Sequence, residues 1–331
     1  MLTDFGKAAR DLRASKEVTL VEFSSKAGKA PSYFSNIEHG RKAATDTVLN
    51  DYIEALTLTN DDADRLRRAA GLSNAIRQFS TYPDGIARVV GIIQAHSGEW
   101  SSDFLANLER TLNSELERNG QLQKQSVFKF RKKGPGDFGS VDPERLVQLA
   151  RSAEKVRRRY ADDSQRIDII KVLEGEEARR EELELDILET LDKRKNAYAY
   201  CRFEADRTFL VADDAFYLGA ASGKVFNRHA LAHELAHVEL HSDSAVAELR
   251  RGMKLQGVQR QVVNGPLEER EANYWATFLL TPWRVLFLNS DYIAHEQKYG
   301  VSRDEMKNLY KMMHVKSVEG WFYSLLDDGS F

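Results

Sequence analysis

The chain has 331 residues, 42% of them hydrophobic and 30% charged, with 48 Lys and Arg against 51 Asp and Glu for a net charge of −3. The length admits two or three domains, the composition is that of an ordinary globular protein, and the charge balance excludes a wholesale polyanion binder. The single Cys201 excludes a disulfide framework. The N-terminus, MLTDFGKAARDLRASKE, alternates in charge where a signal peptide or membrane span needs an apolar run, so a cytoplasmic protein without membrane contact is expected.

Residues 2–70 show short helical periods separated by short breaks. Phe5, Ala8, Ala9 and Leu12 are spaced for one amphipathic helix. A second starts at Thr19, a capping residue with Glu22 three places on, and runs through Leu20, Phe23 and Ala27 to Gly28. A third restarts at Lys29-Ala-Pro31-Ser32, with Pro31 near its first turn, and continues through Tyr33, Phe34, Ile37 and Glu38 to a stop at Gly40. A fourth spans about 45–57 with Val48, Leu49, Tyr52, Ile53 and Leu56. Two short helices joined at a Gly-containing turn form the helix-turn-helix pattern.

The stretch from Thr19 to Lys42 closely resembles the helix-turn-helix of the XRE/Cro family of transcriptional regulators. That family's hallmark, Ser-x-Ile-Glu-x-Gly-x-x, is here Ser35-Asn36-Ile37-Glu38-His39-Gly40-Arg41-Lys42. The resemblance covers about residues 3–72 and assigns a DNA-binding domain to 1–72. It implies that the third helix enters the major groove of double-stranded DNA, with Lys29, Ser32, Tyr33 and Asn36 facing bases and Arg41 and Lys42 meeting phosphates. It also implies a homodimer reading paired half-sites. Basic and acidic residues balance across 1–72, so binding has to rest on a local patch. A helix-turn-helix kept as a protein-docking module is the competing reading.

Residues 73–143 are expected to be a helical spacer, with Trp100 in its core and a basic run at Lys129-Phe-Arg-Lys-Lys133 that reads as a solvated loop or a nucleic-acid arm. After Asp142-Pro143, the spacing of Leu146, Leu149, Ala153 and Val156 predicts a helix with a basic end, Arg157-Arg-Arg-Tyr. A second, acid-rich helix is expected over about 176–192. From Ala197 the period becomes two. Tyr198, Tyr200 and Arg202 alternate with Ala199, Cys201 and Phe203, and Thr208-Phe-Leu-Val-Ala comes next, which predicts a two-stranded hairpin. A third apolar piece, Phe216-Tyr-Leu-Gly, leads to Asn227, a good N-cap for a histidine-rich helix. A sheet joined directly to a metal-binding helix suggests an edge strand beside the metal, open to β-pairing with an extended peptide.

Residues 229–241 hold four of the eight histidines, His229, His233, His237 and His241, at strict four-residue spacing among Ala, Leu and Glu. These are helix formers, and residues four apart share a helix face, so adjacent imidazoles can converge on one ion. The line drifts by about 40° per step, so all four cannot share one metal. A water-activating Glu one residue after the first ligand selects among the three pairs, and only His233-Glu234-x-x-His237 has it, since Ala230 follows His229 and Val238 follows His237. A His-rich solvated face is the competing reading. Leu231, Ala232, Leu235, Ala236, Val238 and Leu240 weigh against it, because imidazoles set in an apolar helix need a partner.

A catalytic zinc takes three protein ligands and leaves the fourth position to water. The proline-bounded helix from Pro266 to Thr281 carries Glu268, Glu271, Trp275, Phe278 and Leu279 on its core-facing side, so Glu268 or Glu271 is carried inward and Glu269 is not. An ion pair of Glu271 with an Arg such as Arg228 or Arg284 is the competing reading. Together, His233-Glu234-Leu-Ala-His237 and Glu271-Ala-Asn-Tyr-Trp-Ala-Thr-Phe-Leu-Leu-Thr-Pro282 look like the motifs of the ImmA/IrrE metallopeptidases. The match runs over roughly 145–315, within a domain placed at 144–331, with Trp275 where the family has Phe.

The resemblance implies a zincin-like, gluzincin-type domain with His233, His237 and Glu271 as ligands to one zinc (or manganese) ion and Glu234 as general base. It further implies cleavage of a protein substrate such as a helix-turn-helix repressor of stress genes or mobile elements. His241, Tyr274 and Tyr200 are candidates for stabilising the oxyanion. The whole is expected to be α+β and mostly helical: a DNA-binding regulator with a zinc-dependent endopeptidase domain. The rivals are a regulator whose metal-fold domain senses a ligand or holds a partner without cleaving, and a toxin–antitoxin-like module.

Overall fold

A computed structural model describes residues 2–80, 126–127, 141–191, 198–204, 207–254 and 266–327, and the protein is α+β and mostly helical. The expected spacer therefore lies mostly outside the described residues, as do Trp100 and the basic run at 129–133. Among the described residues no helix is long and apolar enough to cross a membrane. They form two compact units, one of residues 2–16 and 36–80, the other of 17–35, 126–127 and 141–327.

The first unit is built from α1 (Asp4–Ser15), α4 (Asp46–Leu56) and α5 (Asn60–Ser80), together with the end of α3 (Pro31–Glu38). Thr3 caps α1 by accepting from Gly6 N–H, and Phe5, Ala8, Ala9 and Leu12 are buried as their spacing predicts. Its polar centre is Glu38. The fully buried carboxylate accepts from Arg10 Nε at 2.8 Å and Tyr52 Oη at 2.7 Å, with Arg13 Nη2 at 3.5 Å. Burial works to raise its pKa, and the Arg13 and Arg10 charges with the Tyr52 hydroxyl outweigh burial, holding it below the ordinary carboxylate value. Only glycine fits at position 6, where a Cβ would lie 2.1 Å from the Glu38 carbonyl oxygen.

The second unit takes in α2 (Leu20–Ala27) and the first residues of α3. Thr19 and Glu22 form the capping box that their spacing predicts, and α2 ends at Gly28 in the left-handed region at φ +66°. A mixed sheet has the strand order β1-β3-β4-β2: β1 (Ser126–Val127), β2 (Leu183–Leu188), β3 (Ala199–Phe203) and β4 (Thr208–Asp213). The expected hairpin is β3 and β4, antiparallel with Ala199 opposite Ala212 and Phe203 opposite Thr208. β3 pairs on its other side with β1, at Phe203 and Arg202.

The region from Pro143 to Ala221 differs from expectation in one element. Helix α6 (Pro143–Arg157) starts as predicted, with Asp142 capping Glu144 N–H. The acid-rich helix over 176–192 is instead the end of α7 (Ile169–Arg179) followed by β2, which runs parallel to β4. In β2, Leu183, Leu185 and Ile187 alternate with Glu184 and Asp186, and both acids are buried, Glu184 against Arg207 and Asp186 beside Ser35. Acids expected on a helix are thus paired inside a period-two strand. The third apolar piece is also helical, as α8 (Asp214–Ala221), capped by Asp213.

Helix α9 (Val225–Lys254) starts before Asn227, which is no N-cap; its side-chain amide donates to Phe216 O at 2.8 Å and ties α8 to α9. Leu231, Ala232, Leu235, Ala236 and Val238 are all buried on α9, each leucine contributing roughly 1.5–3 kcal/mol. Helix α10 (Pro266–Leu280) lies between α9 and α6, and α11 (Trp283–Leu288), α12 (Tyr292–Tyr299), α13 (Arg303–Met313) and α14 (Lys316–Asp327) complete the unit.

Candidate metal centre

Helices α9 and α10 run antiparallel, and two polar lines of four-residue period face each other across them. On α9 the line is His229, His233 and His237; on α10 it is Thr277, Asn273 and Glu269. His229 Nε2 lies 3.3 Å from Thr277 Oγ1, His233 Nδ1 lies 2.9 Å from Asn273 Oδ1, and His233 Nε2 lies 3.3 Å from Glu269 Oε2. The helical repeat puts every fourth residue on one face, so one register brings all three pairs together.

The Nε2 atoms of His233 and His237 converge to 3.0 Å, and the second oxygen of Glu269 lies 3.6 Å from His237 Nε2. His233, His237 and Glu269 are the group of side chains placed to hold a metal ion among the described residues. A tetrahedral zinc with ligands at about 2.0–2.1 Å needs donor atoms roughly 3.3 Å apart, close to the spacing found. The donor set fits as well. With Nδ1 of His233 donating to Asn273, its Nε2 carries the lone pair, and two such nitrogens facing each other beside a carboxylate call for a cation.

The acid within reach of both histidine Nε2 atoms is Glu269, a third exposed, whereas Glu271, the expected third ligand, is carried inward as its spacing predicts but lies away from that group. Glu271 lies on the neighbouring face of α10 and accepts two hydrogen bonds from Arg145 on α6, Nε at 2.9 Å and Nη2 at 2.7 Å. Helix α10 is covered on two sides. Its Glu271–Trp275 side meets α6, where Trp275 Nε1 donates to Ser152 Oγ at 3.1 Å, and its Glu269–Asn273–Thr277 side meets the histidines. The apolar stripe marks the packing face, while the face toward the histidines reads as polar. An ion pair for Glu271 is found with Arg145 rather than with Arg228 or Arg284. The matching four-residue lines of Glu269-Asn273-Thr277 and the histidines are the signal that would have found the pairing.

Glu234 follows His233, is 4% exposed, and accepts through its backbone carbonyl from Cys201 Sγ on β3 at 3.0 Å. Burial pushes its carboxyl up to about 7, against the lowering effect of His233 and helped by the Glu269 charge. Burial drives His237 well down, with its neighbours His233 and His241 adding to the effect, which keeps it neutral, the form that binds a metal. His229, brought to about 3 by burial and His233, sits beyond the pair with Glu305 Oε1 3.4 Å from its Nδ1.

The oxyanion candidates are dispersed. His241 Nε2 lies 3.9 Å from Glu271 Oε2, its ring 5.6 Å from that of His237. Tyr274 is buried on α10 with a phenol oxygen that has no hydrogen-bond partner among the described residues, and Tyr200 is half-buried on β3 opposite Val211.

Of the residues expected at DNA, Arg41 and Lys42 are exposed, and Arg41 Nε donates to Asn36 Oδ1 at 2.6 Å. Lys29, Tyr33 and Asn36 are half-buried, with Lys29 Nζ 5.5 Å from the Tyr33 ring centre. Ser32, expected to face a base, is 3% exposed because the start of α3 packs within the second unit. Comparison with known proteins finds no matching family model, no matching curated protein and no matching solved structure.

Proposed function

We propose that the chain is a DNA-binding transcription regulator carrying a zinc-dependent endopeptidase centre of zincin type, with His233, His237 and Glu269 as ligands and Glu234 as general base. The observation that carries the reading is the convergence of two imidazole Nε2 atoms and one carboxylate from helices antiparallel to each other, with a buried Glu directly after the first histidine. A zinc ion bound there supplies Lewis acidity and a water that loses its proton near neutral pH.

The chain's own residues do the rest. Glu234, with a carboxyl near 7, is matched to take a proton from water and return it to the leaving amine of a cleaved peptide. Asn273 holds the His233 ring in the tautomer and orientation that ligation needs. The DNA half is supported by two eight-residue helices joined through the left-handed Gly28 and by the exposed Arg41 and Lys42. This reading takes as partners double-stranded DNA, a second copy on the paired half-site, and a protein substrate such as a helix-turn-helix repressor.

The test is metal content and proteolysis by the purified full chain and its Glu234→Gln variant. We expect equal zinc in both and hydrolysis only in the wild type. Equal metal with unchanged cellular output in the variant would make the centre a sensor or scaffold. Absence of metal in both would remove the centre altogether.

A further inference from the structure

Helix α3 begins at Pro31 and is preceded by Ala30, which has no side-chain acceptor for the first amides of the helix. The missing acceptor comes from far along the chain: Asp214 Oδ1, at the start of α8, accepts from Ser32 N–H at 2.8 Å. Helix α2 already has its local capping box, and still Glu174 on α7 accepts from Leu20 N–H with both oxygens, at 2.8 and 2.9 Å. Tyr217 Oη donates to Glu174 at 2.9 Å and fixes it there. Further along α3, the fully buried Ser35 Oγ accepts from Ile187 N–H at 3.0 Å, on the edge strand β2, and lies 3.5 Å from Asp186 Oδ1. All these residues belong to the second unit.

Helix N-terminal amides are the groups with which proteins hold DNA phosphates, and the first residues of a recognition helix are those that reach base edges. Here anionic oxygens already fill two such amide positions, and the two serines behind them are closed off from solvent. A carboxylate offers the same acceptor chemistry as a phosphate oxygen at lower charge.

We propose that Glu174 and Asp214 act as phosphate mimics that hold α2 and α3 in a self-inhibited state, so that an incoming duplex must displace them, together with the Ser35–β2 contact, before it can be read. The inference rests on the reading of α2 and α3 as the DNA-binding pair. Opening frees Ile187 N–H on the edge of β2 as it frees the helices, so DNA occupancy and exposure of that amide change together.

The experiment compares the full-length wild type with the Glu174→Gln/Asp214→Asn double variant. The control removes two exposed charges elsewhere, Glu181→Gln/Asp304→Asn. Each is titrated against a labelled random-sequence duplex of about 30 base pairs, long enough for several phosphate contacts, at several salt concentrations. We expect the double variant to bind at least about tenfold more tightly than wild type and control, as local release of phosphate-binding groups requires.

In the wild type, hydrogen exchange resolved to single amides should show Ile187 losing protection when duplex saturates the chain, a readout that needs no variant. Equal affinity of wild type and double variant, an equal gain in the control, or unchanged protection of the Ile187 amide would overturn self-inhibition. If wild type binds as tightly as the double variant and Asn36→Ala/Arg41→Ala abolishes binding, the DNA reading stands and only self-inhibition falls. If folded wild type and double variant both fail to bind, the DNA reading falls and takes the inference with it.

Discussion

The side-chain oxygen of Asn273 lies 2.9 Å from Nδ1 of His233, on the far side of the ring from the nitrogen that faces His237. That contact sets which ring nitrogen is free to bind a cation, because a neutral imidazole that donates through Nδ1 presents its lone pair at Nε2. Replacing Asn273 with Leu removes the acceptor and lets the ring take the other tautomer. We expect zinc affinity to fall by roughly 10–100-fold, as when other partners of ligating histidines are lost, and Asn273→Asp to retain most of it. Competition with a fluorescent chelator measures both.

Glu269 and Glu271 are two residues apart with different partners. Glu269→Gln leaves the histidine pair without an anionic partner, so the purified variant should retain little metal and show a loss larger than that of Asn273→Leu. Glu271→Gln breaks the two-point contact with a partly exposed Arg145, so it should keep its metal and lose on the order of 1 kcal/mol of stability. Elemental analysis beside urea denaturation separates the two. Metal loss in Glu271→Gln with metal retention in Glu269→Gln would reverse the assignment.

The same pair shows how far the residues alone could be read. His233, Glu234 and His237 sit within five residues, so a single helical repeat was enough to place them on one line. The third acid depends on which side of α10 meets α9, and a helix buried on two sides has two inward faces of which only one is apolar. Glu271 and Trp275 mark the face that meets α6; the face toward the histidines carries Glu269, Asn273 and Thr277 and looks like surface until the histidine line is laid against it. β2 was hidden for a related reason: Glu184 and Asp186 read as part of an acid-rich helix, yet Arg207 and Ser35 partner them from residues distant in sequence. Local capping and periodicity were legible at Thr19, Glu22 and Gly28, where every partner lies within a few residues. Long-range polar pairing leaves no local period.

Glu38 makes the first unit sensitive to acid. Its folded pKa is lowered, so its contribution to stability is fully present above its unfolded pKa and is lost as pH falls through the folded value. The midpoint of urea unfolding should therefore drop on acidification below the ordinary carboxylate range, and the Glu38→Gln variant should show a shallower drop over the same window. At neutral pH the substitution leaves Arg10 and Arg13 without their buried counter-charge, and we expect a cost of about 3–5 kcal/mol. A pH profile of Glu38→Gln parallel to that of the wild type would contradict this account of the cluster.

Arg157 secures the far end of the helix that carries the candidate ligands. It is fully buried at the end of α6, and its Nη1 donates to the carbonyls of Leu279 at 2.9 Å and Leu280 at 3.3 Å, the last residues of α10. Its Nη2 donates to Asp162 O at 3.0 Å and to Gln165 O. Carbonyls at a helix C-terminus have no partner within the helix, so the guanidinium supplies what the chain after Leu280 does not. Burial lowers the Arg157 pKa, with Asp163 and the other nearby acids opposing, yet a group starting from the arginine range stays charged at any pH of interest. Arg157→Leu exposes four carbonyls to an apolar neighbour and should cost about 2–4 kcal/mol. Arg157→Lys should recover only part of that, because one ammonium cannot span acceptors on both sides of a planar fork. Since α10 also carries Glu269 and Asn273, the Leu variant should bind zinc more weakly in proportion to its fraction unfolded, while folded molecules at low temperature bind normally. Full stability in Arg157→Lys would show that charge alone, without the fork, holds the end of α10.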